Sequence, residues 1–163
     1  MPILGGEASV HAGALRLLFQ IEDSAQQISD LWSPQSYLQP VPRAHELWKM
    51  TCFEAFWSLP NMDKYWELNL SPWGQWNLYA FDRYREPQPP RECFEAQLLS
   101  LNVAQATIEA TLQIPTNWVT LEMSLCAVVR THDLGVQYYS SCHAGNKPDF
   151  HLRQSFNIER SLS

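Results

Sequence analysis

What most constrains this chain is a side-chain alternation of period two that restarts after each turn signal, about every ten residues. In ALRLLFQIE, Leu15, Leu17, Phe19 and Ile21 share one face while Arg16 and Gln20 take the other, as a half-buried strand requires. The same habit runs through CFEAFWSLP, YWELNLS, QWNLYAFDRYR, CFEAQLLSLN, QATIEATLQIP, TLEMSLCAVVRTH and VQYYSSC, with a short tail strand near the end. No helical period separates these runs. The pattern predicts an all-β, antiparallel β-sandwich forming one domain over residues 1–163. One long segment, IEDSAQQISDLWSPQSYLQPVPRAHE, loses the period. Pro34, Pro40 and Pro42 are expected to forbid a regular ladder there, with a helical turn near Ser24–Leu31.

The balance of residue types narrows the function classes. A net charge of −6 with only eleven Lys and Arg, scattered along the chain, argues against nucleic acid, whose binders cluster basic residues against phosphates. No apolar run approaches the roughly 20 residues of a membrane-spanning helix. The start lacks a basic stretch leading into an apolar one, so the expectation is a soluble, cytoplasmic protein. Cys52, Cys93, Cys126 and Cys142 lack CxxC spacing and read as reduced, mostly buried thiols, with no metal site expected.

Candidate chemistry follows from which residues the alternation brings to one face. If Phe53 faces the core, Glu54 faces outward; Glu67 and Asn69 likewise oppose Trp66, Leu68 and Leu70. On neighbouring strands the three polar groups converge. Two carboxyls flanking a glycosidic bond would suit hydrolysis, one as acid and one as base or nucleophile. Arg83 and Arg85 read as sharing one strand face, able to grip hydroxyls or carboxylates or to pair with Glu67 or Glu54. Among the aromatics, Trp48, Trp66, Trp73 and Trp76 are the rings that could stack on a sugar, and Trp76 and Tyr79 are the candidate contacts; Trp73, in the Ser71–Gly74 turn, is the ring expected to be exposed, and Trp66 follows the core period. His143 and His151 flank a loop with Lys147 and Asp149; no nucleophile motif accompanies them, and Asp149 and His151 read as loop anchors.

Three motifs in order are more specific: ELWKMTCFEAFWSLP, then YWELNLSPWGQWNLYAFDRYRE, then GNKPDFH. Together they resemble the DOMON-like domains related to family 9 carbohydrate-binding modules, over Leu15 to Phe156. Leu68 and Leu70 stand where that family more often has phenylalanine, and Trp73 where it is often small. The resemblance implies a jelly-roll-like sandwich with a ligand cleft on one sheet and a carbohydrate as partner. Relatives so labelled include glycoside hydrolases and binding modules. Haem-binding relatives use Met and His axial ligands, but no spacing joins Met50, Met62 or Met123 to His45 or His143, so no cofactor is expected. The resulting expectation is non-catalytic sugar binding by Glu54, Glu67, Asn69, Trp76, Tyr79, Arg83 and Arg85. A hydrolase using the Glu54/Glu67 pair and a structural or self-associating domain are the alternatives.

Overall fold

The computed structural model describes residues 2–28, 35–38, 41–104 and 106–161. The first half of the chain supplies Ile3–His11 (β1), Ala14–Glu22 (β2), Gln35–Leu38 (β3), Cys52–Ser58 (β4), Tyr65–Leu70 (β5) and Trp76–Phe81 (β6). The second supplies Arg91–Glu92 (β7), Gln97–Ala104 (β8), Thr107–Gln113 (β9), Thr120–Thr131 (β10), Gly135–Ser140 (β11) and Ile158–Ser161 (β12). They form two antiparallel sheets, one ordered β1-β2-β9-β8-β3 and the other β11-β10-β4-β5-β6-β7, with β12 also pairing β10. The chain is a β-sandwich.

Alternation decides what lies between the sheets. Leu15, Leu17 and Phe19 from one sheet meet Phe53, Ala55, Trp57, Trp66 and Leu68 from the other, all at most 2 % exposed. Each fully buried side chain of this size contributes about 1.5–3 kcal/mol. The central strands β4, β5 and β6 are buried on both faces, because a second layer of residues covers the outer face of their sheet.

Three local readings are corrected. Despite its flanking prolines, the long connection contributes β3, which pairs with β8 at the open edge of the first sheet, where strands next to proline are tolerated. β1 escaped the alternation test because only Ala8 and Val10 of its Ile3–His11 span are buried. The helical turn expected over Ser24–Leu31 lies partly outside the described residues. Its described part is a turn in which Gln26 N–H donates to the Asp23 carbonyl and the Asp23 carboxylate accepts from Gln27 and Ile28 N–H.

The way β10 ends matters for the site. β11 and β12 pair end to end along one edge of β10, β11 with Cys126–Thr131 and β12 with Thr120–Met123. The chain leaves that edge after Ser140 and returns at Ile158. The neck of the excursion is closed by Ser141 Oγ donating to Asn157 Oδ1 at 3.1 Å and Ser141 N–H donating to the Leu125 carbonyl at 2.8 Å.

Candidate functional site

The β5–β6 hairpin sets the geometry. Ser71 N–H donates to the Gln75 carbonyl, Gly74 N–H donates to the Ser71 carbonyl, and Gly74 sits at φ 75°, a backbone that favours glycine. Trp73, at the tip, is half-buried rather than exposed. This turn fixes Glu67 opposite Tyr79 and Asn69 opposite Asn77, while β4 places Glu54 opposite Asn69 and Phe56 opposite Glu67. Glu54, Glu67, Asn69 and Tyr79 therefore share the outer face of the second sheet.

That face carries a cleft of about 300 Å³. Glu54, Glu67, Phe81 and Val128 form its floor. Trp48 and Tyr138 stand at its sides, with Gln88 and Pro90 from the segment after β6. The excursion between β11 and β12 supplies the last wall with Pro148, Asp149, Phe150 and His151. Phe56, Tyr65, Phe81, Phe150 and Phe156 pack beneath and beside it as a second, smaller apolar cluster.

The floor is chemically unusual. Glu54 and Glu67 are 3 % and 5 % exposed, and among the described residues no Lys or Arg side chain bonds to either. Asn69 Nδ2 donates to Glu67 Oε1 at 2.8 Å, and the Cys52 thiol in turn donates to Asn69 Oδ1 at 3.4 Å. Glu54 Oε1 is buried and has no hydrogen-bond partner among the described residues. Burial pushes the Glu67 carboxyl up to about 7, with the Asn69 bond and the Arg85 charge acting against it. Burial together with the neighbouring Glu67 charge holds Glu54 well above the usual carboxylate range.

A relay of polar contacts ties this floor to the wall. Tyr65 Oη accepts the Arg85 N–H at 3.0 Å and lies 2.8 Å from His151 Nδ1. With its proton directed to Nδ1, it leaves His151 Nε2–H facing Glu67 Oε2 at 3.8 Å. Burial, helped by the Arg85 charge, lowers the His151 pKa to about 4, so the ring is neutral at physiological pH. Arg85 Nη2 reaches Asp149 Oδ1 at 2.9 Å, and Tyr84 Oη donates to Asp149 Oδ2 at 2.6 Å.

The residues singled out from the sequence divide accordingly. Glu54, Glu67 and Arg85 line the cleft, and Asn69 supports Glu67 from beneath. Tyr79, 2 % exposed, packs edge-on against Trp48 and accepts from Asn77 Nδ2 at 3.1 Å. Trp76 turns to the opposite face, into the inter-sheet core, where its Nε1–H donates to the Val41 carbonyl and the Arg43 guanidinium stacks on its ring. Arg83 does not share a strand face with Arg85. β6 ends at Phe81, the chain turns with Arg85 at φ 52°, and Arg83 points to solvent against Glu86. The reading of Asp149 and His151 as loop anchors misses that they also wall the cleft. Trp48 and Tyr138 give no sequence signal separating them from other exposed or packed rings.

No family model matches the sequence, and no curated protein matches it. Its fold has a clear counterpart. A Bacteroides uniformis protein named a "putative carbohydrate-binding protein" superposes with a TM-score of 0.62 at 14 % identity, over 99 % of this chain and 79 % of that one. At that identity the likeness establishes the shared sandwich, and the site must be argued from its own residues.

Proposed function

We propose that this chain is a DOMON-like carbohydrate-binding domain whose ligand sits in the cleft over Glu54 and Glu67. The observation that carries the reading is the joint presence, in one open cleft, of aromatic walls and a buried carboxyl, Glu54, whose Oε1 has no hydrogen-bond partner among the described residues. Sugar rings offer apolar CH faces for Trp48 or Tyr138, and hydroxyls for Glu54, Glu67, Arg85 and Gln88. A cleft of about 300 Å³ accommodates one or two sugar units. The Bacteroides uniformis protein of the same fold is itself named for carbohydrate binding.

Titration with mono- and oligosaccharides, followed by tryptophan fluorescence, tests the reading, since Trp48 lines the cleft. Arg85→Ala removes charged donors and releases Asp149, and is expected to weaken binding roughly 10- to 100-fold. Arg83→Ala, outside the cleft, leaves affinity within about twofold. Equal losses from both substitutions, or silence across a broad panel, sink the assignment.

Hydrolysis is the second reading, favoured by one feature: both carboxyls lie on the same sheet face with elevated affinity for protons. Release of reducing ends from oligosaccharides, abolished in Glu54→Gln, would transfer the assignment to that class.

A further inference from the structure

The floor of the cleft gathers more carboxyl groups than its surroundings have cations to answer. Glu54 and Glu67 rise from β4 and β5, and Asp149 enters from the wall. Among the described residues Arg85 is the cation lining the cleft, and its Nη2 is already engaged by Asp149. The other titratable groups facing the pair bring no positive charge at neutral pH. Cys52 and Cys126 flank it from β4 and β10 as thiols, Tyr65 and Tyr79 from β5 and β6 as phenols, and His151 as a neutral ring.

Two acceptor positions are left over. Among the described residues, Glu54 Oε1 is buried with no partner, and Glu67 Oε2 has only the long approach of His151 Nε2 at 3.8 Å, since Asn69 uses Oε1. An ammonium offers three N–H donors and no acceptor, which suits two unshared carboxylate oxygens. The rings of Trp48 and Phe81 at the edge of the same space favour a cation over their faces. Beside a neutral sugar an ionised pair would have no counter-charge, so both acids stay protonated there.

Building on the carbohydrate reading, we infer that the cleft is selective for sugars bearing a cationic nitrogen, with the ammonium seated between Glu54 and Glu67. Binding then shifts the pair from acid to carboxylate. The carboxyl O–H bond breaks, its electron pair stays on oxygen to face the ammonium, and the proton leaves to buffer. Affinity accordingly rises with pH for as long as the amine itself stays charged.

Calorimetry on the full chain, with 2-amino sugars of gluco, galacto and manno configuration and their neutral and N-acetylated counterparts, tests this. Measurements at pH 5.5 and 7.0 in buffers of different ionisation enthalpy report the protons released. The expected result is an amino-sugar preference of about tenfold or more, release of roughly one proton per complex, and tighter binding at pH 7.0. Glu54→Gln and Glu67→Gln each bring the preference to about one, while Arg83→Ala keeps it. Neutral sugars binding as tightly as amino sugars overturn the inference and leave the carbohydrate reading standing. Silence toward every sugar overturns both.

Discussion

At pH 8 the Glu67→Gln protein is expected to unfold about 6–12 °C above the parent, and at pH 4.5 to match it closely. The Glu67 carboxyl titrates near 7 in the folded chain against an ordinary value of 4.5. The folded state therefore binds its proton more tightly than the unfolded state does. The stability this confers is complete below about pH 4.5 and is lost as pH rises through about 7, an amplitude of about 3 kcal/mol. Glutamine mimics the neutral acid, still accepts from Asn69 Nδ2, and cannot ionise. Glu54, also raised, loses stability in the same direction. His151 works oppositely: it is held neutral in the folded chain down to about 4, so its contribution is present above 6.5 and lost as pH falls through about 4. Between about 4.5 and 6.5 it offsets one of the carboxyls, and the parent's decline steepens above that range. Thermal unfolding from pH 4.5 to 8 measures this. A gain in Glu67→Gln that is equal at both ends of the range contradicts the assignment of a buried acid.

Trp66→Ala is expected to cost about 3–5 kcal/mol, read by chemical denaturation. Its ring is 2 % exposed, stacks near-parallel on Trp57 with centroids 6.5 Å apart, meets Trp118 at 4.3 Å, and lies under Lys64 Nζ. Rigid strands on both sides leave little means of filling the hole. Trp73→Ala, in the half-buried turn, should cost visibly less. Comparable losses at the two positions would mean the hairpin tip is as important to stability as the inter-sheet layer.

The fold was legible wherever one face of a strand is buried and the other is not, because alternation then reports directional burial. β2 and β9 are of this kind. It failed at β1, which buries little, and at β3, which a proline count argues against. The polar half of the site was legible for the same reason: Glu54, Glu67 and Asn69 break an apolar pattern at positions of known facing. Arg83 and Arg85 show the limit. Extending a strand's period beyond Phe81 ignores the turn that separates them, and the turn is set by Asp82 N–H donating to the Glu86 carbonyl and Glu86 N–H donating to the Arg83 carbonyl, which no period encodes. Trp76 faces the core by plain alternation with Leu78 and Ala80. Its ring was attractive for its chemistry, yet its register already assigned it elsewhere. The wall residues were beyond reach, because Trp48, Tyr138, Asp149 and His151 meet only through the tertiary course of the chain.

The closed neck between Ser141 and Asn157 has a consequence for how such a protein can diversify. Because the excursion that carries Asp149, Phe150 and His151 leaves and rejoins the same edge of β10, its contents can change in length and composition without altering any strand's register. Lengthening a loop whose ends are already pinned adds only a slowly growing entropic cost, about 0.6 kcal/mol per doubling. One wall of the cleft is thus an exchangeable cassette on a floor set by strand register, and new ligand preferences can be acquired by that one segment without a change in the sandwich beneath.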